Sequence, residues 1–273
     1  MSQTSNAANF TLAELLICAC AEVWRDEGEV LATGIGIIPR LAQGLAKLTH
    51  SPELMITDGE ACLTEEPVTI GAKNHEGRAY AGWMPYSRVF DNLWGGRRHA
   101  LVGPVQVDRW GQANISCIGD FARPKRQLLG LRGFPGNSIN HVNSFFVPNH
   151  GPRVFVDKEV DVVCSVGYRK ERWPAGVKKD YLRIARIVTD LCVMDFGGRS
   201  EDSEHAIRVI SLHPGVSFAQ VQAATGFPLL KIEDLGETAY PTAEQLALIR
   251  KLDPKDLRSK QLKDNPSGVR KAA

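Results

Sequence analysis

Residues 102–116 read Val-Gly-Pro-Val-Gln-Val-Asp-Arg-Trp-Gly-Gln-Ala-Asn-Ile-Ser, and the reading of the fold grows outward from them. Apolar residues alternate around Val105 and Val107, residues 108–111 have turn chemistry, and 112–116 read as a returning strand. The pattern predicts a β-hairpin, and its simplest role is structural. On either side, "HALVGPVQVD" (99–108) and "QANISCI" (112–118) extend the strand signal.

Further strands are predicted at "EVLAT", "ELMIT" (53–57), "RVFVD" (153–157), "DVVCSV" (161–166), "RIVTDLCVMDF" (186–196) and "AIRVISLH" (206–213). Helices are predicted from a capping box at Thr11-Leu-Ala-Glu14, at about 39–48, 86–94 and 217–225, and at 242–252 behind a Thr242/Gln245 pair. The first helix carries Leu12, Leu15, Leu16, Ala19 and Val23, the spacing of one packed face, with Phe10 and Leu15 as a hydrophobic staple. Strand and helix alternate in the first third, and later strands follow one another closely. This combination predicts an α/β fold: an open, mostly parallel sheet with an antiparallel portion. Residues 1–252 form the domain on this reading. Residues 253–273 are polar and basic, and are expected to be a flexible tail or an arm that orders on a partner.

Composition excludes several functions. Lys+Arg 33 against Asp+Glu 31 gives a net charge of +2, no case for nucleic acid or an anionic membrane. The polar start "MSQTSNAANF" lacks the features of a signal peptide, and no run of 18 apolar residues occurs. A soluble, cytoplasmic protein is expected. The six cysteines show no C-x-x-C pair and are read as reduced core residues, and the seven histidines show no zinc-binding spacing. Gly34 and Gly36 begin a G-x-G, but Pro39 stands where a dinucleotide fold needs a third glycine, so a tight strand-to-helix turn is the better reading. No G-x-S-x-G elbow is present.

Two segments keep chemical interest. "LLGLRGFPGNSINH" (128–141) spaces Gly130, Gly133 and Gly136 by threes ahead of Asn137, Ser138, Asn140 and His141. Exposed backbone N–H groups there suit an anion or developing oxyanion, and a plain surface loop fits the composition equally. Arg123, Lys125 and Arg126 upstream are suited to phosphate or carboxylate, or to a solvated face. After "ELMIT" comes the acidic cluster Asp58, Glu60, Glu65 and Glu66, where a partly buried carboxylate would serve as base or nucleophile.

"VQVDRWGQANIS", the glycine loop at 130–136, "VDVVCSVGY" (160–168), "RIVTDLCVMDF" and "LHPGVSFAQVQAATGFPL" (212–229) occur in a familiar order. Across about 10–252 the chain resembles the β subunit of class I CoA transferases. The resemblance implies that family's open α/β sheet, a homologous α subunit in an α2β2 assembly, and a site at the subunit interface. It also implies a strand-end glutamate that forms a thioester with CoA.

Two departures qualify it. Thr57-Asp58-Gly59 stands where the transferases carry Glu-x-Gly, and Gly130-Leu131-Arg132-Gly133 replaces a Gly-Ser-Gly-Gly loop. Threonine cannot form the acyl anhydride and thioester that a carboxylate forms. Both departures resemble the two-subunit ring-cleaving hydrolases of steroid-degrading actinobacteria. That implies water-assisted cleavage of a C–C bond in the last steroid ring of a CoA thioester, with the catalytic glutamate in the α subunit. No separate cofactor is implied, since coenzyme A is part of the substrate. On this reading Arg126 is a charge partner, Asn137 and Gly133 are loop contacts, and Thr57, Asp58 and Gly59 line the site. Two alternatives stay open: a transferase whose nucleophile has moved to Asp58 or Glu60, and a non-catalytic scaffold subunit.

Overall fold

The computed structural model describes residues 9–59, 62–72, 78–178, 180–201 and 203–268. Helix α1 (Leu12–Ala21) leads into strand β1 (Leu31–Gly34) and helix α2 (Ile37–Leu48). Three short strands follow, β2 (Ile56–Thr57), β3 (Cys62–Thr64) and β4 (Tyr80–Trp83), then α3 (Tyr86–Gly95) and β5 (Arg98–Val102). Two small ladders come next: β6 (Gln106–Val107) with β7 (Ala113–Asn114), and β8 (Cys117–Ile118) with β9 (Arg126–Gln127). Helix α4 (Phe134–Asn140) runs into β10 (Val142–Val147). The remainder is β11 (Arg183–Thr189), β12 (Cys192–Ser200), β13 (Ser203–Leu212), α5 (Phe218–Ala223), β14 (Leu230–Glu237) and α6 (Ala243–Leu252).

Seven strands form the main sheet in the order β1-β5-β10-β11-β12-β13-β14. The block from β1 to β11 is parallel, β11-β12-β13 is antiparallel, and β14 is again parallel to its neighbour. This is the mixed α/β sheet expected from the sequence. Side chains alternate between its faces as a strand requires. Leu101, Phe146, Val188 and Val193 meet α1, α2 and α6, whereas Ala100, Val102, Phe145, Val147 and Ile187 meet α5 and the hairpin of β6 and β7.

The predicted hairpin is present, with Gln106 opposite Asn114 and Val107 opposite Ala113. Both capping boxes form: Thr11 with Glu14, and Thr242 with Gln245. The G-x-G turn has a steric cause, because a Cβ on Gly34 would lie 2.3 Å from the Pro39 carbonyl oxygen. Five of the six cysteines are buried, and burial pushes the Cys18 and Cys192 thiols up to about 12.

Several expectations need correction. All ten residues of α1 are buried, including Glu14, so the helix packs on every side rather than one. The reason is the C-terminal segment, expected to be a flexible tail. Residues 253–268 fold back over α1, with Leu262 buried, Leu12 N–H donating to the Pro266 carbonyl at 2.9 Å, and Thr11 bridging Ser267. The anchor is ionic. Arg258, 8% exposed, donates to Glu14 Oε1 at 3.1 Å and to Asp253 Oδ2 at 3.1 Å, while Arg250 reaches Glu14 at 2.9 Å. A basic composition thus reflects cations used internally, not a solvated arm.

"RVFVD" and "DVVCSV" are not ladder strands. They contribute single bridges to the hairpin, Phe155 to Val107 and Ser165 to Ala113, and are apolar because Phe155, Val160 and Cys164 fill the core beneath it. "ELMIT" is only partly a strand: Met55 bridges Leu31 at the sheet edge, and Ile56–Thr57 joins the small sheet with β3 and β4. Half of the glycine loop is helix α4, with proline in its first turn where no N–H is needed. Strand β10 escapes the apolar pattern because Asn143 and Ser144 interrupt it. Both are buried with partners, Ser144 Oγ lying 3.0 Å from His99 Nε2.

Candidate active-site cavity

Where α3 crosses the ends of β5 and α4, a cavity of ≈460 Å³ opens. Its walls are mostly apolar, including Val89, Phe90, Leu93, Ile115 and Phe134, and its polar groups come from Arg98, Arg132, Asn137 and Tyr86. An apolar pocket with few convergent polar groups is the usual form of a small-molecule site. Among the described residues no Asp or Glu lines it.

Arg98 begins β5 and is half-buried. Its Nε donates to Thr33 Oγ1 on β1 at 2.9 Å, and among the described residues no carboxylate lies within ion-pair distance. Burial brings its guanidinium down to about 10. A second, polar cavity of ≈610 Å³ lies behind it, and the acid there, Glu27, is engaged by His99 at 3.6 Å and Arg183 at 3.4 Å. Arg98 is therefore a desolvated cation offered to an anion in the pocket.

Asn137, in α4, is 4% exposed. Its Nδ2 donates to Asn143 Oδ1 on β10 at 2.5 Å. Asn143 Nδ2 in turn donates to the carbonyls of His141 at 2.9 Å and Asn137 at 3.3 Å. Asn137 Oδ1 is buried without a hydrogen-bond partner among the described residues. His141 is fixed beside them by a 3.0 Å contact from Nε2 to the Leu93 carbonyl. Burial holds its imidazole below the usual value, helped by the Arg98 charge.

The stretch 57–59 forms its own turn. Gly59 N–H donates to Thr57 Oγ1 at 3.2 Å, Cys62 N–H donates to Asp58 Oδ1 at 3.2 Å, and Arg40 Nη2 donates to the Asp58 carbonyl at 3.0 Å. Gly59 has φ +91, and a Cβ there would meet the Arg40 guanidinium at 2.9 Å. Only glycine accommodates both that conformation and that approach. Glu60 lies outside the described residues.

Of the residues singled out from sequence, the cavity unites Gly133 and Asn137. Thr57, Asp58 and Gly59 do not line it. Arg126 is exposed on β9 and lines a neighbouring groove of ≈830 Å³ with Arg153. That groove shares Gly103, Val105 and Leu128 with the cavity, so the two spaces adjoin. Sequence reasoning missed Arg98 and Asn143. For Arg98 the available signal was a cation at the entry of a strand buried from its second residue onward, directly after Gly95-Gly96. For Asn143 there was none, since its partners come from the tertiary fold. Among the described residues no cluster of His, Cys, Asp and Glu gathers to hold a metal ion, and no helix is long and apolar enough to cross a membrane.

Comparison with known proteins defines first a class. No protein-family model matches the chain. One of the two kinds of chain of a 3-oxoadipate CoA-transferase from Pseudomonas knackmussii is 30% identical over 89% of this chain and 94% of its own, so the sheet and cavity are those of a CoA-transferase-type β subunit. The cholesterol ring-cleaving hydrolase IpdB subunit of Mycobacterium tuberculosis H37Rv is 42% identical over 93% of this chain and 99% of its own. The crystal structure of Rhodococcus jostii RHA1 IpdAB superposes with a TM-score of 0.84 at 41% identity, covering 93% and 99% of the two chains. The chain belongs to the IpdB family of cholesterol ring-cleaving hydrolase subunits, within the CoA-transferase fold.

Proposed function

We propose that this chain is the β subunit of a cytoplasmic, heteromeric hydrolase that opens a carbocyclic ring of a CoA thioester by water-assisted C–C cleavage. The observation that carries this reading is a cavity furnished with a buried cation and a buried amide but, among its described lining residues, no carboxylate. The base must then come from outside this chain, and a homologous α subunit covering the cavity mouth would supply it, in an α2β2 assembly. Kinship with the IpdB subunits supports the last steroid ring as the substrate.

In the reaction, a base removes a proton from water, the oxygen attacks a ring carbonyl, and the adjoining C–C bond breaks toward the carbon next to the thioester. Arg98, desolvated and without a carboxylate partner, steadies the substrate's negative charge or the developing oxyanion. The groove beyond Leu128, with Arg126 and Arg153 at its rim, receives the CoA chain and its phosphates. No protein acyl intermediate is needed, which agrees with threonine at position 57.

A transferase with a relocated nucleophile requires Asp58 or Glu60 to attack. The Asp58 carboxylate accepts the Cys62 N–H within its turn and lies outside the cavity lining. The deciding experiment offers the assembled complex a cyclic β-keto CoA thioester with and without a free acid. Ring opening independent of the acid is expected. CoA exchange onto the acid would support the transferase, and activity unchanged by Arg98→Leu and Asn137→Leu would support a scaffold role.

A further inference from the structure

The amide pair Asn137–Asn143 carries information that neither residue type announces. An amide has two hydrogens on nitrogen and an oxygen that only accepts. Asn143 spends its nitrogen on the carbonyls of His141 and Asn137, so its oxygen faces Asn137. Only a donor can meet that oxygen, which fixes the Asn137 amide with its nitrogen toward Asn143. Asn137 Oδ1 is the end left over, buried and without a partner among the described residues, on a residue that lines the cavity. The orientation therefore follows from counting hydrogens.

A water poised to attack needs its lone pair free for carbon, so both of its hydrogens must rest on acceptors. One goes to the general base. The other needs a fixed acceptor inside the cavity, where Arg98 can only donate and most walls are apolar. We propose that Asn137 Oδ1 is that acceptor, holding the water that opens the ring, and that Asn143 is the positioning residue that turns it there. The assignment rests on the hydrolase reading above.

The step balances. The partner subunit's carboxylate takes one proton, the water oxygen bonds to the ring carbonyl carbon, and the tetrahedral intermediate collapses. The C–C electron pair leaves as the thioester enolate, which recovers the proton from the base. Water is added across the bond as a carboxylic acid and a C–H, with Asn137 unchanged.

The test uses the assembled two-subunit complex and 2-oxocyclohexane-1-carbonyl-CoA, whose ring opening gives heptanedioyl-CoA. Asn137→Leu and Asn137→Ala should each lower kcat by about 100-fold, the range for removal of one oriented hydrogen-bonding group, with KM within about threefold. Asn143→Leu should lower kcat about tenfold, because Asn137 is then free to turn. Exchange of the α-hydrogens of heptanedioyl-CoA with D2O needs the base but not the attacking water, and should persist in all three variants.

A raised KM with kcat intact would show that Oδ1 holds the substrate and would overturn the assignment. Loss of exchange in parallel with ring opening would mean a merely structural role. A wild-type complex that opens no ring would contradict the hydrolase reading itself. A working wild type with unimpaired variants would contradict this assignment alone.

Discussion

Position 57 shows how much one side chain decides. A carboxylate there makes a transferase; a threonine whose hydroxyl accepts the Gly59 N–H makes a turn. The chemistry passes instead to Arg98 and its neighbours. A buried guanidinium without a carboxylate partner costs folding free energy, so its removal should not harm the fold. Arg98→Leu is therefore expected to lower kcat/KM of the assembled complex about 100-fold while leaving the melting temperature unchanged or higher. A melting temperature several degrees lower, with kcat/KM retained, would show that Arg98 is structural. Arg126, exposed on the groove rim, should behave differently. Arg126→Ala is expected to raise KM severalfold and leave kcat nearly untouched, with the difference shrinking in high salt, as measured by initial rates at several ionic strengths.

Among the elements, those with local chemistry were legible in the sequence. Thr11/Glu14 and Thr242/Gln245 specify helix starts without reference to the rest of the chain, and both form. Strands that depend on tertiary partners were not legible. Asn143 and Ser144 look unsuited to the middle of a sheet until Asn137 and His99 are brought alongside. The converse error came at 153–166, where apolar residues serve a core beneath a hairpin rather than a ladder.

Helix α1 and the C-terminal segment form one such tertiary unit. Burial raises the Glu14 carboxyl, but hydrogen bonds from Arg250 and the Thr11 N–H and the charges of Arg250 and Arg258 outweigh it and hold it below the ordinary range. Glu14→Gln should cost about 3 kcal/mol, since it breaks a buried charge pair and leaves Arg258 poorly compensated. Truncation after Leu252 should cost at least as much by urea unfolding, whereas a solvated arm would cost nothing.

At the scale of the whole molecule, buried histidines couple the fold to pH. His150 lies between Thr189 Oγ1 at 3.1 Å and Thr225 Oγ1 at 2.9 Å, and burial brings its imidazole down to about 4. The folded state thus holds it neutral while the unfolded chain takes up a proton near pH 6.5. Its contribution is full above that value and declines as pH falls toward 4. Asp108 acts in the opposite sense: burial pushes it up to about 7, against backbone N–H donors from Gln112, Trp110 and Val160. The overall pH curve therefore mixes the two, and a variant is needed to separate them. The stability advantage of the wild type over His150→Gln should shrink by about 2 kcal/mol between about pH 7.5 and about pH 5, read from urea midpoints. An advantage that stays constant would mean that His150 is protonated alike in both states.

The same scale explains what the sequence said about the site. The order of motifs along 105–229 placed the chain in its fold, because each motif is a local packing unit repeated at the same place in relatives. It did not assemble the cavity. Arg98, Gly133 and Asn137 come from a strand, a helix cap and a helix that meet only after the sheet closes. Thr57 and Arg126, the more conspicuous residues in the sequence, lie outside that cavity's lining.

The central claim is that water, not a carboxylate of this chain, attacks the substrate. The most direct measurement is turnover of the assembled complex in H2 18O with 2-oxocyclohexane-1-carbonyl-CoA, followed by mass spectrometry of product and protein. The account predicts one 18O in the new carboxylate and an unmodified β subunit after borohydride quenching. A borohydride-reduced Asp58 or Glu60, with CoA passed to an added acid, would contradict it.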